Sequence, residues 1–350
     1  MKLSMSLNYS GDVRAAADEV IALEKAGLDT VWVAEAYSFD AISMMGYLAA
    51  KTERVEIGSA IVNVYSRTAT LMAMTFAGLD NVSGGRIICG LGASGPQVIE
   101  GFHGVAYEKP MQRIREYMDV CRRTWKREVI DFQGQTVKIP LPAGEGTGMG
   151  KPLKLINHPV RASIPLWWAS LKGKSVEATA EVADGWIPVF YIPDKADMVW
   201  GDALGLGMKK RSADLGKLQI LAGGSVMITD DNDVALKVLD AGRPQAALYV
   251  GGMGARGKNF YNDIMSAYGW ESEAKTIQDL YLDGKKAEAA AAIPAEYLSS
   301  ASLVGPLGHV KERLAAYQAA GVTHLQMGLH GSLESKAKTV ETMRKLVDEI

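Results

Sequence analysis

The feature that most constrains this chain is a regular alternation of short apolar runs with amphipathic stretches, kept up over nearly its whole length. Residues 3–7 alternate apolar and polar with period two, as a half-buried strand does. Val13, Ala16, Ala17, Val20, Ile21 and Leu23 then recur at helical spacing. Asp12 stands ahead of them as a candidate N-cap, and Gly27 behind them as a candidate C′ residue. The same reading predicts strands over 30–34, 55–62, 86–91, 164–169, 185–189, 218–228 and 323–328. It predicts helices over 39–50, 69–82, 109–126 and 173–183, from 194, and over 231–241 and 333–349.

Strand–helix alternation implies parallel strands joined by right-handed crossovers. An open doubly wound sheet and a barrel both satisfy that rule. About eight units favour the barrel, because eight is its closure number. The expectation is therefore an α/β protein, a (β/α)8 TIM barrel, with residues 1–350 as one domain. Two stretches interrupt the pattern, at about 130–163 and 242–302. The first holds a hairpin (129–132 with 136–139) followed by the loop PLPAGEGTGMGKP, and the second holds GGMGARG and several short helical pieces. Long irregular connections inside compact domains usually serve function, and both are expected to wall or cover the barrel mouth.

Composition narrows the function. With 48% hydrophobic and 22% charged residues, the chain has the balance of a soluble globular protein. A formal net charge of −2 gives no electrostatic footprint for nucleic acid. Two cysteines, Cys89 and Cys121, are too few for a disulfide framework or a metal cluster. Both sit in apolar segments, as buried thiols of a reducing compartment do. There is no signal-peptide core and no run of ~20 apolar residues, so a cytoplasmic protein without a membrane span is expected.

Three glycine-rich strings invite nucleotide readings. Gly90-Leu91-Gly92-Ala93-Ser94-Gly95 matches G-x-G-x-x-G after a strand, but Pro96 follows and the next clear helix begins near Lys109. Gly252–Gly257 has no supporting acidic residue and reads as a mobile loop. The string ending Gly150-Lys151 lacks the first glycine of a P-loop, which is Glu145 here, and has Pro152 in place of Ser or Thr. No H-E-x-x-H pair argues for zinc, and no G-x-S-x-G elbow for a hydrolase. His103, in a loop after the fourth strand, is a candidate catalytic residue, whereas His324 and His330 read as core or rim.

In a barrel the C-terminal strand ends converge on one cavity. They carry Glu35 after the second strand, Ser59-Ala60-Ile61-Val62-Asn63 on the third and Gly92-Ala93-Ser94 on the fourth. Glu35 places a carboxylate at the rim, and the small residues leave room for a flat ring. Ser170-Leu171-Lys172-Gly173-Lys174-Ser175 opens a helix, where free N–H groups and lysines attract phosphate. Gly185 and Trp186 follow on the next strand.

These pieces resemble the luciferase-like superfamily of flavin- and F420-dependent oxidoreductases. The resemblance is closest to the F420-dependent branch that includes methylenetetrahydromethanopterin reductase. It rests on AGLDTVWVAEAY, on VEIGSAIVNVYSRTATLMAMTFAGLDNVSGGRIICGLGASGPQVIEGFHG, on KPLKLINHP, on IPLWWASLKGKSVEATAEVADGW and on GPLGHVKERLAAYQAAGVTHL. It implies a deazaflavin ring (coenzyme F420) against Glu35, Ser59, Ala60, Ile61, Val62, Asn63, Gly92, Ala93 and Ser94. It also implies a cis Ala60–Ile61 peptide, and a phosphate held by Ser170, Leu171, Gly173, Lys174, Gly185 and Trp186. The function implied is hydride transfer between the deazaflavin C5 and a small electrophilic substrate. Glu35 is the first choice for proton transfer or ring contact, with Tyr37, Tyr65 and His103 as alternatives. The Asp-His pair of the branch's sugar-phosphate dehydrogenases is Glu35-Ala36 here, and their Glu after strand four falls at Ala93-Ser94, which disfavours that chemistry. An FMN-dependent monooxygenase of the same fold is the alternative, and a non-catalytic flavin-binding barrel the next. A homodimer is implied by the family alone.

Overall fold

A computed structural model describes residues 1–8 and 10–349. Eight parallel strands close on themselves: β1 (Lys2–Ser6), β2 (Thr30–Val33), β3 (Glu56–Ser59), β4 (Ile87–Gly92), β5 (Leu166–Ala169), β6 (Gly185–Ile187), β7 (Gln219–Ile228) and β8 (His324–Leu329). Each pairs with the next, and β8 returns to β1 with Lys2 opposite His324. Eight helices form the outer ring: α1 (Val13–Lys25), α2 (Ala41–Lys51), α3 (Ala69–Ser83), α4 (Pro110–Trp125), α5 (Gly173–Val182), α6 (Ala196–Lys210), α7 (Leu307–Ala319) and α8 (Leu333–Glu349). Asp12 caps α1, its carboxylate accepting from Arg14 N at 2.8 Å.

Alternating strand residues explain both layers of the core. Outward residues such as Leu3, Val31, Ile57, Cys89 and Leu325 pack under the helices. Inward, Trp32, Ile88, Trp167, Ile187 and Leu221 form a separate cluster that plugs the barrel. The indoles of Trp32 and Trp167 lie 5.0 Å apart, with His324 edge-on to both. They fit because Gly58 and Gly185 face them, where a Cβ would fall within the van der Waals radius of each ring. Below the indoles, Lys2 donates to Glu56 at 2.6 Å and Thr30 Oγ1 to the same carboxylate at 3.2 Å.

The string DNVSGGR proves to be architectural. Gly84 and Gly85 take φ of 69° and 90° to leave α3. Arg86 then closes the end of α2 through the carbonyls of Ala49, Thr52 and Val55. Asp80 is fully buried and paired with Arg161.

Four expectations need correction. The predicted strand 55–62 is broken after Ser59, and Val62–Asn63 resumes pairing on β4. A short helix, Pro96–Gly101, follows the fourth strand directly, where none was expected. The GGMGARG segment is not wholly loop. Residues Leu248–Gly252 are helical, and Asn259 Nδ2 ties the carbonyls of Tyr249 and Val250 at 2.9 Å each. Finally, the 130–163 insertion divides: Arg161 lies at the far face, while the hairpin runs back along α4 as far as Lys109 at its mouth-side end. It follows α4 and precedes β5, so it belongs to a helix-to-strand connection, which a barrel places at the opposite face. Arg161 accordingly reaches Ile87 O at the start of β4. The hairpin (Phe132–Gln133 with Lys138–Ile139) lies on the flank of α4, where Glu116 accepts from the backbone N–H groups of Gln135, Thr136 and Val137. The 242–302 insertion follows β7 and the helix Asn232–Asp240, and it leads into Leu303–Gly305, which pairs beside the upper end of β7.

Candidate active site

The mouth has an apolar side and a polar side. On the apolar side Ala60, Ile61 and Ala169 lie half-exposed on the Trp32–Trp167 cluster. The Ala60–Ile61 peptide is cis. Gly92 makes room for the Ile61 side chain, since a Cβ there would stand 2.8 Å from Ile61 Cδ1. Ser59 offers no free hydroxyl to a ligand, because its Oγ donates to Gly90 O at 2.8 Å and accepts from Gly90 N at 2.9 Å. Val62 and Asn63 are buried, and Asn63 Oδ1 accepts from Tyr65 N and Ser66 N, closing the turn after β3. Ala93 is half-buried and Ser94 exposed with a φ of 58°, its carbonyl accepting from the Tyr107 hydroxyl.

Glu35 is held by a partner the sequence reading did not single out. Arg67, on the turn that Asn63 closes, grips both carboxylate oxygens at 2.7 Å. Both side chains are largely buried, and Tyr117 fixes the turn by donating to Arg67 O at 2.7 Å. Tyr65 also acts as structure. Its hydroxyl donates to Glu108 O, its ring stacks on Tyr107 at 5.2 Å, and burial pushes the phenol up to about 12. Tyr37 is exposed and meets Phe102 at 6.4 Å, and Phe102 in turn lies against His103. His103 Nε2 is buried without a hydrogen-bond partner.

After β5 the chain opens α5. Gly173 and Lys174 are exposed in its first turn, and no side chain other than that of Ser175 competes for the backbone there. The free N–H groups and the helix dipole make this an anion-ready site. Lys172 Nζ rests 3.8 Å over the ring of Phe260, from the 242–302 insertion. Ser170 and Trp186 support the site from behind, since Trp186 Nε1 donates to Ser170 O and Ser170 Oγ bonds Thr179. Leu171 does the same through its carbonyl, which accepts from Trp200. Gly185 is separate from them, one layer down against Trp167. Of the residues expected to hold phosphate, only Gly173 and Lys174 present donors outward.

The polar side is formed by β7, β8 and β1, and sequence reasoning missed it. Gln326 Nε2 donates to Ser6 Oγ at 3.0 Å, while its Oε1 is buried without a partner. His330 Nε2 lies 3.1 Å from Ser225 Oγ. A cavity of about 470 Å³ adjoins Gln326 and Ser6, its remaining walls coming largely from Asp12, from Ala16 and Glu19 of α1, and from Lys336. Counting by two along HLQMGLH places positions 324, 326, 328 and 330 on the inner face, so the signal was present.

Comparison with known proteins places the chain in a family. The family model for luciferase-like monooxygenases matches residues 1–324. A Mycobacterium tuberculosis protein that carries the name coenzyme F420-dependent oxidoreductase is 41% identical over 92% of this chain and 93% of its own. The 5,10-methylenetetrahydromethanopterin reductase of Archaeoglobus fulgidus is 24% identical over 87% and 86%. The solved F420-dependent tetrahydromethanopterin reductase of Methanopyrus kandleri superposes with a TM-score of 0.79 at 20% identity, covering 97% and 96%. Fold, site and relatives define a (β/α)8-barrel oxidoreductase. The chain belongs to the luciferase-like monooxygenase family.

Proposed function

We propose that this protein is an F420-dependent oxidoreductase that moves a hydride between the deazaflavin C5 and a small electrophilic organic substrate. The 41% identity to a relative named for F420, over nine-tenths of both chains, carries this reading. The residues fit such a group. A flat ring has an apolar bed of Ala60, Ile61 and Ala169, where Gly92 leaves the Ile61 side chain its place. A phosphate has the uncapped amides of Gly173 and Lys174. When bound, the deazaflavin supplies two-electron hydride chemistry. The protein's own work is to hold the ring edge with the Glu35–Arg67 pair, to keep the bed dry and to present the substrate from the 242–302 side. Glu35 serves here as a ring contact, because Arg67 occupies both its oxygens. His103 is retained as a substrate contact on its unpartnered nitrogen.

Residues 1–350 are taken to work as one domain around that mouth, in a cytoplasm reducing enough to keep the buried Cys89 and Cys121 thiols free. Exposed Leu71, Met74 and Val82 lie along one side of α3, an apolar face that suits a second copy of the chain.

A fluorescence titration tests the cofactor. F420 emission is expected to quench to saturation, while FMN is lost on desalting. Tight FMN retention with oxygen consumption would replace this reading with a monooxygenase. F420 binding without turnover of enones, imines or nitro compounds would leave a non-catalytic barrel.

A further inference from the structure

The apolar side of the mouth is a bed of Ala60, Ile61 and Ala169, whereas the β7–β8–β1 side carries hydrogen-bonded polar side chains. Leu221 belongs to the barrel interior, and Ala222 and Val226 to the outer core. Alternation along β7 therefore turns Ser225 inward. Ser225 stands opposite Gly328 in the β7–β8 register, and His330 reaches it from just beyond β8. One layer below, Gln326 and Ser6 add a second polar pair with an unsatisfied oxygen, beside the cavity.

We propose that this wall is the proton-handling side of the site: Ser225 touches the substrate heteroatom, and His330 exchanges a proton with it through the Ser225 hydroxyl. The proposal rests on the hydride-transfer reading above and names the substrate class as a carbonyl or imine compound. In the reducing direction, a bound reduced deazaflavin would supply a hydride to the carbon of C=O or C=N, and the π pair would move to the heteroatom. The heteroatom takes the Ser225 proton, and the Nε2 proton of the His330 imidazolium restores the hydroxyl. Solvent then reprotonates the neutral imidazole, and oxidation runs the same steps backwards. Ser225 is the catalytic residue and His330 the positioning and relay residue.

Burial, and after it the charge of Lys336, lower the pKa of His330 below the ordinary histidine value. Lys336 is itself paired with Glu19 at 2.9 Å, and Asp12 caps α1 across the same cavity. The acid form of His330 is the donor, so reduction should weaken as pH rises through a value below the usual 6.5 of histidine.

The test uses the F420-loaded protein with cyclohexanone and 1-pyrroline as probes. Either probe should shift the His330 imidazole resonance, assigned through His330→Gln, and should shift it less in Ser225→Ala. Probe reduction should fall about 100-fold in kcat/KM in Ser225→Ala and His330→Gln, with F420 affinity within about twofold of wild type, an allowance well inside a tenfold change. Ser225→Thr, which keeps the hydroxyl, should recover most of the rate. The decline with rising pH should vanish in His330→Gln. A His330 resonance unmoved by both probes, or a pH profile unchanged in His330→Gln, would overturn the proposal. Failure of the wild type to quench F420 would instead overturn the cofactor reading beneath it.

Discussion

At the scale of single residues, the rim is held by charge. Arg67 and Glu35 are both largely buried and bonded at two points. Removing one partner strands the other in a poorly solvated place. Arg67→Met should therefore cost about 3–5 kcal/mol in urea unfolding, and adding Glu35→Gln should recover a good part of it. Inside the barrel floor, burial alone would raise Glu56. The His324 imidazole 3.8 Å away and the hydrogen bonds and charge of Lys2 more than offset that and hold it at about 2. Because the folded value lies below the unfolded one, the stability it lends is present above the ordinary carboxylate range. It is lost as pH falls from about 4.5 towards 2. His324, kept neutral chiefly by burial, acts in the same direction at higher pH. Glu56→Gln should lower stability at pH 7 by about 2 kcal/mol after screening and flatten the acid limb of a Tm-against-pH curve.

At the scale of elements, the floor depends on two strands leaving space for indoles carried by their neighbours. Gly185 faces Trp167, and Gly58 faces Trp32. Gly185→Ala should destabilise by about 1–3 kcal/mol through overpacking, and Trp167→Phe in the same chain should relieve it, both read by thermal melts. The barrel itself was legible because period-two and period-3.6 patterns distinguish strands from helices without tertiary information. The seven strands predicted over 30–34 and onward, and the first over 3–7, all form. What was not legible depends on contacts distant in sequence. Arg67 became visible as the partner of Glu35 only once β2 and β3 lay side by side. Trp186 looked like a phosphate neighbour, but alternation turns it outward, where it braces Ser170. The far-face end of the 130–163 insertion could have been placed by connection type alone, since it leads from a helix into a strand. Its length drew more attention than its direction.

At the scale of the whole molecule, the two insertions leave the barrel by different connections, one between α4 and β5 and the other between β7 and α7. The 242–302 insertion stands over the mouth and reaches Lys172 through Phe260. The 130–163 insertion sits against α3 and α4, and α3 carries the exposed Met74. On the dimer proposed above, substrate range and self-association are set by separate parts of the chain. Met74→Glu should shift the sedimentation coefficient from dimer to monomer while leaving F420 affinity unchanged. An unaltered coefficient would place the subunit contact elsewhere.

The paired indoles beneath the mouth also give the protein an optical property. Two identical chromophores 5.0 Å apart, tilted by 53° and sealed from water, are fixed closely enough for their transitions to mix. Such a pair is expected to give a coupled indole band in circular dichroism, lost in Trp32→Phe or Trp167→Phe, so the residues that close the floor can also report on its integrity.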